Sequence, residues 1–557
     1  MSSILFSRIV TNVFKKEEIQ EVSLHSSGTS MPWIFDFKGE AFSDVFLREY
    51  AKCFWNIFEK KYNGEVQVGG MESGAMPLIA GISLLAPSSS TVHPFYVRKS
   101  RKKSDFAKLV EGEVQKDIPI VLVDDILNTA STLLKQIVIL EDLGYKVSSV
   151  FVCIRFRDMS FYEHLSSKGI EIVSIFELND FKEALDVSNL QISPTKNLMR
   201  KFSPVYRVKL TSKPNLYIVV PKSSPILVNE YIYVGVDDGT FFCLREVDGS
   251  IVWKYNVSFG AKGKKIFSSP AVYKDIVFFG AYDGNVYALN RFTGKREWVF
   301  IEADWIGSSP TVDSDTGRLF IGLEFALAKK SGGVVCLSAQ TGEVLWRNYE
   351  MEGLTHASPG YNKKNNVVIC GCNDSFVYAF SADSGKLLWK FKTGGELKYG
   401  VVFDDTRGLA IIASLDGGVY TISIKNGTLY ARFEGLFGFY STPVLARDSV
   451  IIGGLDKVVY SFSLVTKKML WKFETSGRIF ASGVVSPDAS SFFIGSNDGS
   501  LYELSVLDGT LLSRTIFSER IVNKVQLKVE PESGKSEVIL LTHIGELFKL
   551  RDVQSDK

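Results

Sequence analysis

A repeated hairpin turn in the second part of the chain constrains its fold more than any other sequence feature. The dipeptide Asp238-Gly239 returns 45 residues later as Asp283-Gly284, and apolar residues alternate on both sides of each copy. Asp-Gly between such runs favours a two-residue β-hairpin, because both turn residues can take positive φ. Equivalent turns recur at Gly332-Gly333, Asp374-Ser375, Asp416-Gly417, Asp456-Lys457, Asp498-Gly499 and, more weakly, at His543-Ile544-Gly545.

A second turn and then an aromatic residue follow these hairpins. The second turns are Asp248-Gly249, Thr293-Gly294, Thr341-Gly342, Ser384-Gly385, Asn426-Gly427, Thr466-Lys467 and Asp508-Gly509. The aromatic position holds Trp253, Trp298, Trp346, Trp389 and Trp471, with Tyr430 and Ser513 in the other two units. Four strands in about 40–45 residues is the period of a β-propeller blade.

The repeat therefore predicts an all-β propeller over residues 204–557. We expect eight blades, with seven as the alternative, and we interpret the repeated Trp as a packing wedge between blades. The segment Val522–Leu550 supplies about three strands, and Pro204–Leu210 is a candidate for the fourth. A ring closed by one strand from the other end of the repeat would leave no exposed sheet edge.

The first part of the chain has a different period. Apolar strands are predicted at Val66–Val68, Ile120–Val123, Val147–Ile154 and Ile170–Ile175, and helices at Ser73–Leu85 and Thr132–Leu143. Apolar strands that alternate with helices favour a parallel α/β sheet covered on both faces. We assign residues 1–187 to this α/β domain and the polar stretch 188–203 to a linker.

Composition excludes some classes of partner. The net charge is +2, from 64 Lys and Arg against 62 Asp and Glu, so there is no general attraction to nucleic acid or to anionic membrane. No apolar run approaches the 18 or more residues of a membrane span, and the basic-first order of a signal peptide is absent. The six cysteines are scattered, which is typical of buried thiols, and we expect a cytoplasmic protein.

The segment from Ile120 to Thr132 carries the most chemical information. Four apolar residues are followed by the carboxylates of Asp124 and Asp125, and a hydroxyl-rich turn then opens a helix. Ligands of open α/β sheets bind at the carboxyl ends of strands, and a helix N-terminus suits a phosphate. The alternative is a strand followed by an ordinary Ser/Thr helix cap.

This segment resembles the phosphoribosyl-pyrophosphate loop of type I phosphoribosyltransferases. The resemblance implies that Asp124 and Asp125 contact the ribose diol. It also implies that a phosphate-binding turn holds the 5-phosphate, through Asn128, Thr129, Ala130, Ser131 and Thr132. Ala130 stands where the family usually has Gly, and Asn128 stands where many members have Thr.

Two further segments resemble orotate phosphoribosyltransferases. A glycine-rich stretch is similar to the family's pyrophosphate loop, and it consists of Gly70, Met71, Glu72, Ser73 and Gly74. Six basic residues between Arg98 and Lys108 resemble the catalytic loop, in which Arg98, Lys99 and Lys102 would hold the pyrophosphate. Taken alone, such a basic run is usually a solvated loop.

Base-binding residues are implied by the same resemblance, which covers Val22 to about Val187. The segment from Ser26 to Asp36 resembles the family's stretch near the base, and we assign Ser26 and Phe35 to base binding. Ser26 takes the place of the family's Lys. Arg155 matches the Arg that binds the pyrimidine carboxylate in orotate enzymes, and Ile154 replaces the Asp before it. The alternative for Arg155 is a structural ion pair.

The turn and Trp pattern of the second part resembles propellers with pyrroloquinoline-quinone repeats. That resemblance implies a fold and not a function. The sequence shows no evident calcium or quinone constellation, and we expect this half to be a scaffold or a partner-binding module.

Together these observations predict an enzyme that transfers ribose 5-phosphate from phosphoribosyl pyrophosphate to an orotate-like planar base. Mg²⁺ would enter mainly through the substrate, without a metal site formed by the protein alone. The family resemblance also implies a homodimer through the N-terminal domain, and we expect a protein partner for the propeller. The alternative is a non-catalytic sensor of phosphoribosyl pyrophosphate or nucleotide that signals through the propeller, in a specialised pathway or a defence system.

Overall fold

The computed structural model describes residues 2–16, 33–99, 108–184, 201–211, 214, 220, 222–257, 265–327, 330–529 and 535–553. The chain forms two compact units, residues 1–197 with 516–518 and residues 198–515 with 519–557. Among the described residues, no helix is long and apolar enough to cross a membrane.

The first unit is an α/β domain. Its helices are α1 (Ser3–Arg8), α2 (Asp44–Lys61), α3 (Met76–Leu84), α4 (Ser131–Asp142) and α5 (Glu163–Ser166), with a π-helix at Ile9–Val13 and 3₁₀ turns at Glu40–Phe42, Met159–Tyr162 and Leu178–Phe181. Its strands are β1 (Phe14–Lys16), β2 (Trp33–Phe35), β3 (Glu65–Gly69), β4 (Thr91–Pro94), β5 (Tyr96–Val97), β6 (Val110–Glu111), β7 (Ile120–Leu127), β8 (Val147–Arg155) and β9 (Glu171–Glu177).

Five of these strands form the central sheet, in the order β4-β3-β7-β8-β9, and every pairing is parallel. Successive residues of β7 point to opposite faces. Val121 and Val123 pack in a core with α2 and α3, whereas Ile120 and Leu122 pack in a core with α4. The predicted parallel sheet with apolar cores on both faces is therefore confirmed.

The second unit is an eight-bladed β-propeller, which confirms the expected blade number. Each blade is a four-stranded antiparallel sheet. Blades 1 to 4 consist of β11–β14 (Ile226–Val228, Tyr231–Gly235, Thr240–Arg245, Ile251–Asn256), β15–β18 (Ala271–Tyr273, Ile276–Gly280, Asn285–Asn290, Arg296–Ile301), β19–β22 (Thr311–Val312, Arg318–Phe325, Ser331–Ser338, Val344–Met351) and β23–β26 (Gly360–Asn362, Val367–Gly371, Phe376–Ser381, Leu387–Lys392).

Blades 5 to 7 consist of β27–β30 (Val402–Asp404, Leu409–Ala413, Gly418–Ser423, Leu429–Glu434), β31–β34 (Val444–Ala446, Ser449–Gly453, Val458–Ser463, Met469–Glu474) and β35–β38 (Val484–Val485, Ser491–Gly495, Ser500–Ser505, Leu511–Ile516). Blade 8 joins both ends of the propeller sequence. It contains β39 (Gln526–Val529), β40 (Ser536–Leu541), β41 (Glu546–Val553) and β10 (Lys201–Lys209), and β10 pairs with β41. Strand β10 begins inside the stretch predicted as linker, because its pairing with β41 starts at Lys201.

The repeated Trp residues lie between successive blades. The indole nitrogen of each donates to a backbone carbonyl of the following blade over 2.8–3.1 Å, in Trp253, Trp298, Trp346, Trp389 and Trp471. The ring also covers the glycine of the following blade's second turn, where an added Cβ would come within 3.0 Å of the indole. The interpretation of these residues as wedges is confirmed.

Two tyrosines, Tyr430 and Tyr206, make the contact between blades where the repeated Trp is absent. The Tyr430 hydroxyl donates to the Leu464 carbonyl over 3.3 Å, and the Lys467 ammonium lies 3.8 Å from the Tyr430 ring centroid. Lys467 occupies the place that glycine holds elsewhere, so a cation–π contact replaces the stacked turn. In blade 8, Tyr206 on β10 lies against Gly249 and donates to the Glu246 carbonyl over 3.0 Å. An aromatic ring therefore links blade 8 to blade 1.

Candidate active site

The two predicted carboxylates lie on β7. This strand continues to Leu127 and does not end at Val123, because it stays paired with β8 as far as Arg155. The Asp124 carboxylate accepts from the Asp125 amide over 3.0 Å, and the Asp125 carboxylate accepts from the Ile126 amide over 2.7 Å. Both side chains remain partly accessible to solvent.

The two carboxyl groups have perturbed acidities. Burial raises the pKa of Asp124 well above its ordinary value, and the neighbouring charge of Asp125 raises it further. Burial also raises the pKa of Asp125. The positive charge of Lys99 acts in the opposite direction on the pKa of Asp124. Two neighbouring carboxyl groups that are partly shielded from water are a charge arrangement that a cationic or hydroxyl-bearing ligand would relieve.

The phosphate-binding turn follows directly. Ala130 is the residue before α4, and it has the left-handed conformation with φ 58° and ψ 9°. The Thr129 and Ser131 hydroxyls lie 3.1 Å apart. The amides of the first turn of α4 have no partners within the helix and receive no side-chain cap from Ala130. This arrangement of hydroxyls, free amides and helix dipole is suited to a phosphate group.

Three residues that the sequence did not single out hold this region in place. The Tyr162 hydroxyl contacts the Leu127 and Asn128 carbonyls at 2.9 and 2.7 Å. The Arg157 guanidinium donates to the Asn128 side chain over 3.0 Å. The Tyr50 hydroxyl, on α2, contacts the Asp124 carbonyl at 3.1 Å. These residues are 29 to 74 positions from their partners, and no local sequence pattern identifies such contacts.

The glycine-rich loop packs beside β7. A Cβ on Gly70 would lie 2.8 Å from the Val123 carbonyl oxygen, so this loop can approach the strand only with glycine there. The Glu72 amide donates to the Val97 carbonyl over 2.9 Å, and the peptide between Glu72 and Ser73 is cis. Around Gly74 the space is open.

Glu72 connects the glycine-rich loop to the start of the basic segment. Its carboxylate accepts from the Lys99 amide over 3.0 Å and lies 3.7 Å from the Arg98 guanidinium. Arg98 also lies 3.4 Å from the Glu111 carboxylate, and its Nε is buried without a hydrogen-bond partner. These contacts, together with the packing of Gly70 on the Val123 carbonyl, place the glycine-rich loop beside both the start of the basic segment and β7.

The remaining predicted site residues have different positions. Ser26 and Lys102 lie outside the described residues. Phe35 is buried in the core, where its ring centroid lies 5.5 Å from that of Phe156 and 5.8 Å from that of Phe181. Arg155 lies at the end of β8, where its guanidinium donates to the Glu177 carboxylate and to the Arg157 carbonyl.

Asp124 and Asp125 are compatible with a Mg²⁺ ion only if a ligand supplies most of the groups that surround the metal. Asp124 and Asp125 supply carboxylate oxygens, the hard ligands that Mg²⁺ prefers, but two side chains leave most of its octahedral positions to other groups. Among the described residues, no group of three or more His, Cys, Asp or Glu is arranged to hold a metal ion.

The six cysteines lie among the described residues as free thiols, and five of them are buried. Cys370 and Cys372 share the apolar core of blades 3 and 4, and burial raises the pKa of both thiols. They are core residues, as the sequence indicated.

The N-terminal domain is similar to orotate phosphoribosyltransferases. The enzyme of Leptospira biflexa serovar Patoc is 32% identical over 159 residues, which are 28% of this chain and 85% of that protein. The corresponding enzyme of Methanosphaera stadtmanae is 26% identical over 160 residues, or 86% of its length.

The propeller is similar to a different group of proteins. The family model described as outer membrane protein assembly factor BamB matches residues 208–356 and 373–555. BamB of Yersinia pestis is 23% identical over 248 residues, and the chain spans only 61% of that protein's length. The quinohemoprotein alcohol dehydrogenase of Comamonas testosteroni is 14% identical, with a TM-score of 0.54 over 64% of this chain and 77% of that one, and it shares the fold alone.

The chain therefore belongs to the orotate phosphoribosyltransferase family through its N-terminal domain and to the family of outer membrane protein assembly factor BamB through its eight-bladed propeller.

Proposed function

We propose that the N-terminal domain transfers ribose 5-phosphate from phosphoribosyl pyrophosphate to a nitrogen of a small planar base and releases pyrophosphate. One observation carries this proposal: Glu72 joins the glycine-rich loop to Arg98 and Lys99, and Gly70 of the same loop packs against the Val123 carbonyl, next to Asp124 on β7. This arrangement supports a diphosphate at the glycine-rich loop and a ribose at the neighbouring carboxylate pair.

Each group has a role in this reaction. The turn before α4 binds the 5-phosphate, and Asp124 and Asp125 accept hydrogen bonds from the ribose hydroxyls. Arg98 and Lys99 stabilise the negative charge that develops on the departing pyrophosphate. Lys102 belongs to the same basic segment and has the same proposed role. Mg²⁺, when bound with the diphosphate, neutralises part of its charge.

Binding without turnover is a second candidate. Ala130 favours it, since its Cβ lies in the turn that must approach the phosphate, and the left-handed backbone costs energy for any residue but glycine. In that case the domain would report the level of phosphoribosyl pyrophosphate or of a nucleotide.

Two measurements separate the transferase from the sensor. The first is calorimetric titration of phosphoribosyl pyrophosphate with Mg²⁺, and the second is a pyrophosphate-release assay over a panel of bases. Release with one base supports the transferase, and binding without release across the panel supports the sensor. Asp124→Asn with Asp125→Asn is the matched control, and it should lose both signals while keeping the circular dichroism spectrum of the wild type. Absence of binding to the wild-type protein would refute both candidates.

For the propeller we propose a scaffold or partner-binding role, and for the N-terminal domain a homodimer. Adjacent exposed apolar side chains in the turn after β30, Leu436 and Phe437, support a protein-binding surface, since they are 78% and 67% exposed. Light scattering of the purified chain tests the dimer. Leu436→Ser with Phe437→Ser should reduce the recovery of any partner captured by the wild-type chain, and unchanged recovery would exclude this turn.

A further inference from the structure

Arg155 has a partner at the place where the family resemblance assigns a base carboxylate. It is paired in register with Glu177 across the neighbouring ends of β8 and β9. The guanidinium donates through Nη2 to the Glu177 carboxylate and through Nη1 to the Arg157 carbonyl, and the Arg155 side chain is 7% exposed. The positive charge at the end of β8 is therefore already matched by a negative charge of the protein.

Glu177 is held in position by a second set of contacts. It is the residue before the 3₁₀ turn Leu178–Phe181, and its side chain accepts from the Asp180 amide in a capping box. In return the Asp180 carboxylate accepts from the Glu177 amide over 2.8 Å. The Glu177 carboxylate therefore both caps this turn and binds Arg155, while about half of the side chain remains exposed.

The surroundings connect this ion pair to the proposed active site. Arg157, whose carbonyl binds Arg155, also donates to the Asn128 side chain in the phosphate-binding turn. Leu127 of β7 pairs in register with Arg155. The pair thus lies at the same carboxyl edge of the sheet as the site described above, one strand from Asp124 and Asp125.

We propose that Glu177 is a specificity-determining residue that excludes acceptor bases with a carboxylate, so that the base used by this domain is an uncharged planar ring. This inference rests on the proposed function. A base carboxylate would meet Glu177 as a like charge, and it would find Arg155 already paired. An uncharged base is not repelled by Glu177 and does not need the Arg155 guanidinium as a partner.

Orotate and uracil form the matched pair of probes, since they differ only in one carboxylate. Pyrophosphate release is measured with both bases and with uncharged purines, for the wild type and for Glu177→Gln. Glutamine keeps an oxygen that can accept from the Asp180 amide, so this variant is expected to fold. We expect the wild type to use an uncharged base and to reject orotate, and Glu177→Gln to raise the ratio of kcat/KM for orotate to that for the uncharged base at least tenfold.

A control variant and a second readout keep the test decisive. Glu171→Gln removes one negative charge at the opposite end of β9 and should leave the ratio unchanged. Titration with uridine and orotidine 5′-monophosphates gives the same discrimination without turnover. Preference of the wild type for orotate or its nucleotide, or an unchanged ratio in Glu177→Gln, would overturn the inference while leaving the transferase intact. No release with any base and no binding of either nucleotide would overturn both.

Discussion

The contact between Trp389 and Gly427 offers a quantitative test of how the propeller blades are joined. The indole nitrogen of Trp389 donates to the Ile424 carbonyl over 2.9 Å, and its ring lies on Gly427 of the next blade. Gly427 has φ +72°, and an added Cβ would lie 2.8 Å from two atoms of the ring. With Trp389 present, residue 427 must therefore be glycine to avoid a clash with the indole ring.

The expected energies follow from this geometry. Trp389→Ala should lower the free energy of unfolding by about 3 kcal/mol, the low end for a large aromatic residue, because the ring is only half-buried. Gly427→Ala should cost about 1–2 kcal/mol for the left-handed backbone and roughly 1–2 kcal/mol more for crowding of the indole. In the double variant the crowding is absent, so the sum of the single effects should exceed the double effect by about 1–2 kcal/mol.

Urea unfolding of the propeller transition, followed by circular dichroism, measures these differences. Gly408→Ala is the matched control, since Gly408 has φ +67° and nothing within 4 Å of an added Cβ. It should cost only the backbone term and add to Trp389→Ala without coupling. Additivity of Trp389→Ala and Gly427→Ala within about 0.5 kcal/mol would refute the wedge reasoning.

Four further predictions concern the candidate site and His543 in blade 8. Asp124→Asn should stabilise the N-terminal domain at neutral pH. Burial raises the pKa of the folded carboxyl, so above the ordinary pKa of 3.8 the unfolded carboxyl loses its proton more readily than the folded one, and wild-type stability falls as the pH rises. Thermal melts between pH 4 and 8 test this dependence. Ala130→Gly should raise the free energy of unfolding by about 0.5–1 kcal/mol, because glycine adopts the left-handed backbone without strain, and it should tighten the binding of phosphoribosyl pyrophosphate. Thermal melting and calorimetry measure the two effects, and weaker binding would contradict the assigned turn. Burial lowers the pKa of His543 from 6.5 to about 3, so between pH 7 and 5 the unfolded chain takes up a proton that the folded propeller does not. The free energy of unfolding of the propeller should therefore fall by about 2 kcal/mol over this range. In urea titrations, His543→Asn should make this free energy less dependent on pH. Arg98→Ala should reduce pyrophosphate release at least 100-fold with unchanged melting, whereas a normal rate would remove Arg98 from the site.

The propeller could be predicted in detail because its information is local and repeated. Each Asp-Gly hairpin and each second turn is encoded within a few residues. The recurrence of Trp at one repeat position predicts where successive blades pack against each other. The eighth blade was harder, since its fourth strand comes from Lys201–Lys209, far from β41 in sequence. The aromatic contact that joins blade 8 to blade 1 uses Tyr206, which stands outside the repeat and carries no repeat signal.

The N-terminal site could be predicted only where a motif is continuous in the chain. Asp124, Asp125 and the turn to Thr132 form one segment, and the glycine-rich loop forms another. The apolar pattern predicts a strand that ends at Val123, whereas pairing with β8 extends β7 through both acidic residues. The partners of Asn128, Arg155 and Asp124 depend on the order of strands in the sheet, which a single strand does not encode.

Ala130 bears on whether this site still has a function. A non-glycine residue at φ 58° lowers the free energy of unfolding by about 1–2 kcal/mol. A turn that binds no ligand could relax to a backbone conformation without this strain, or could have glycine at this position. The strain persists here because Tyr162 and Arg157 fix the residues just before it. Strained backbone that the surroundings maintain is concentrated at binding and catalytic sites. The turn therefore keeps its left-handed geometry despite the substitution. In the function proposed above, the ion pair of Arg155 with Glu177 would then change the specificity for the base and not the binding of the phosphate.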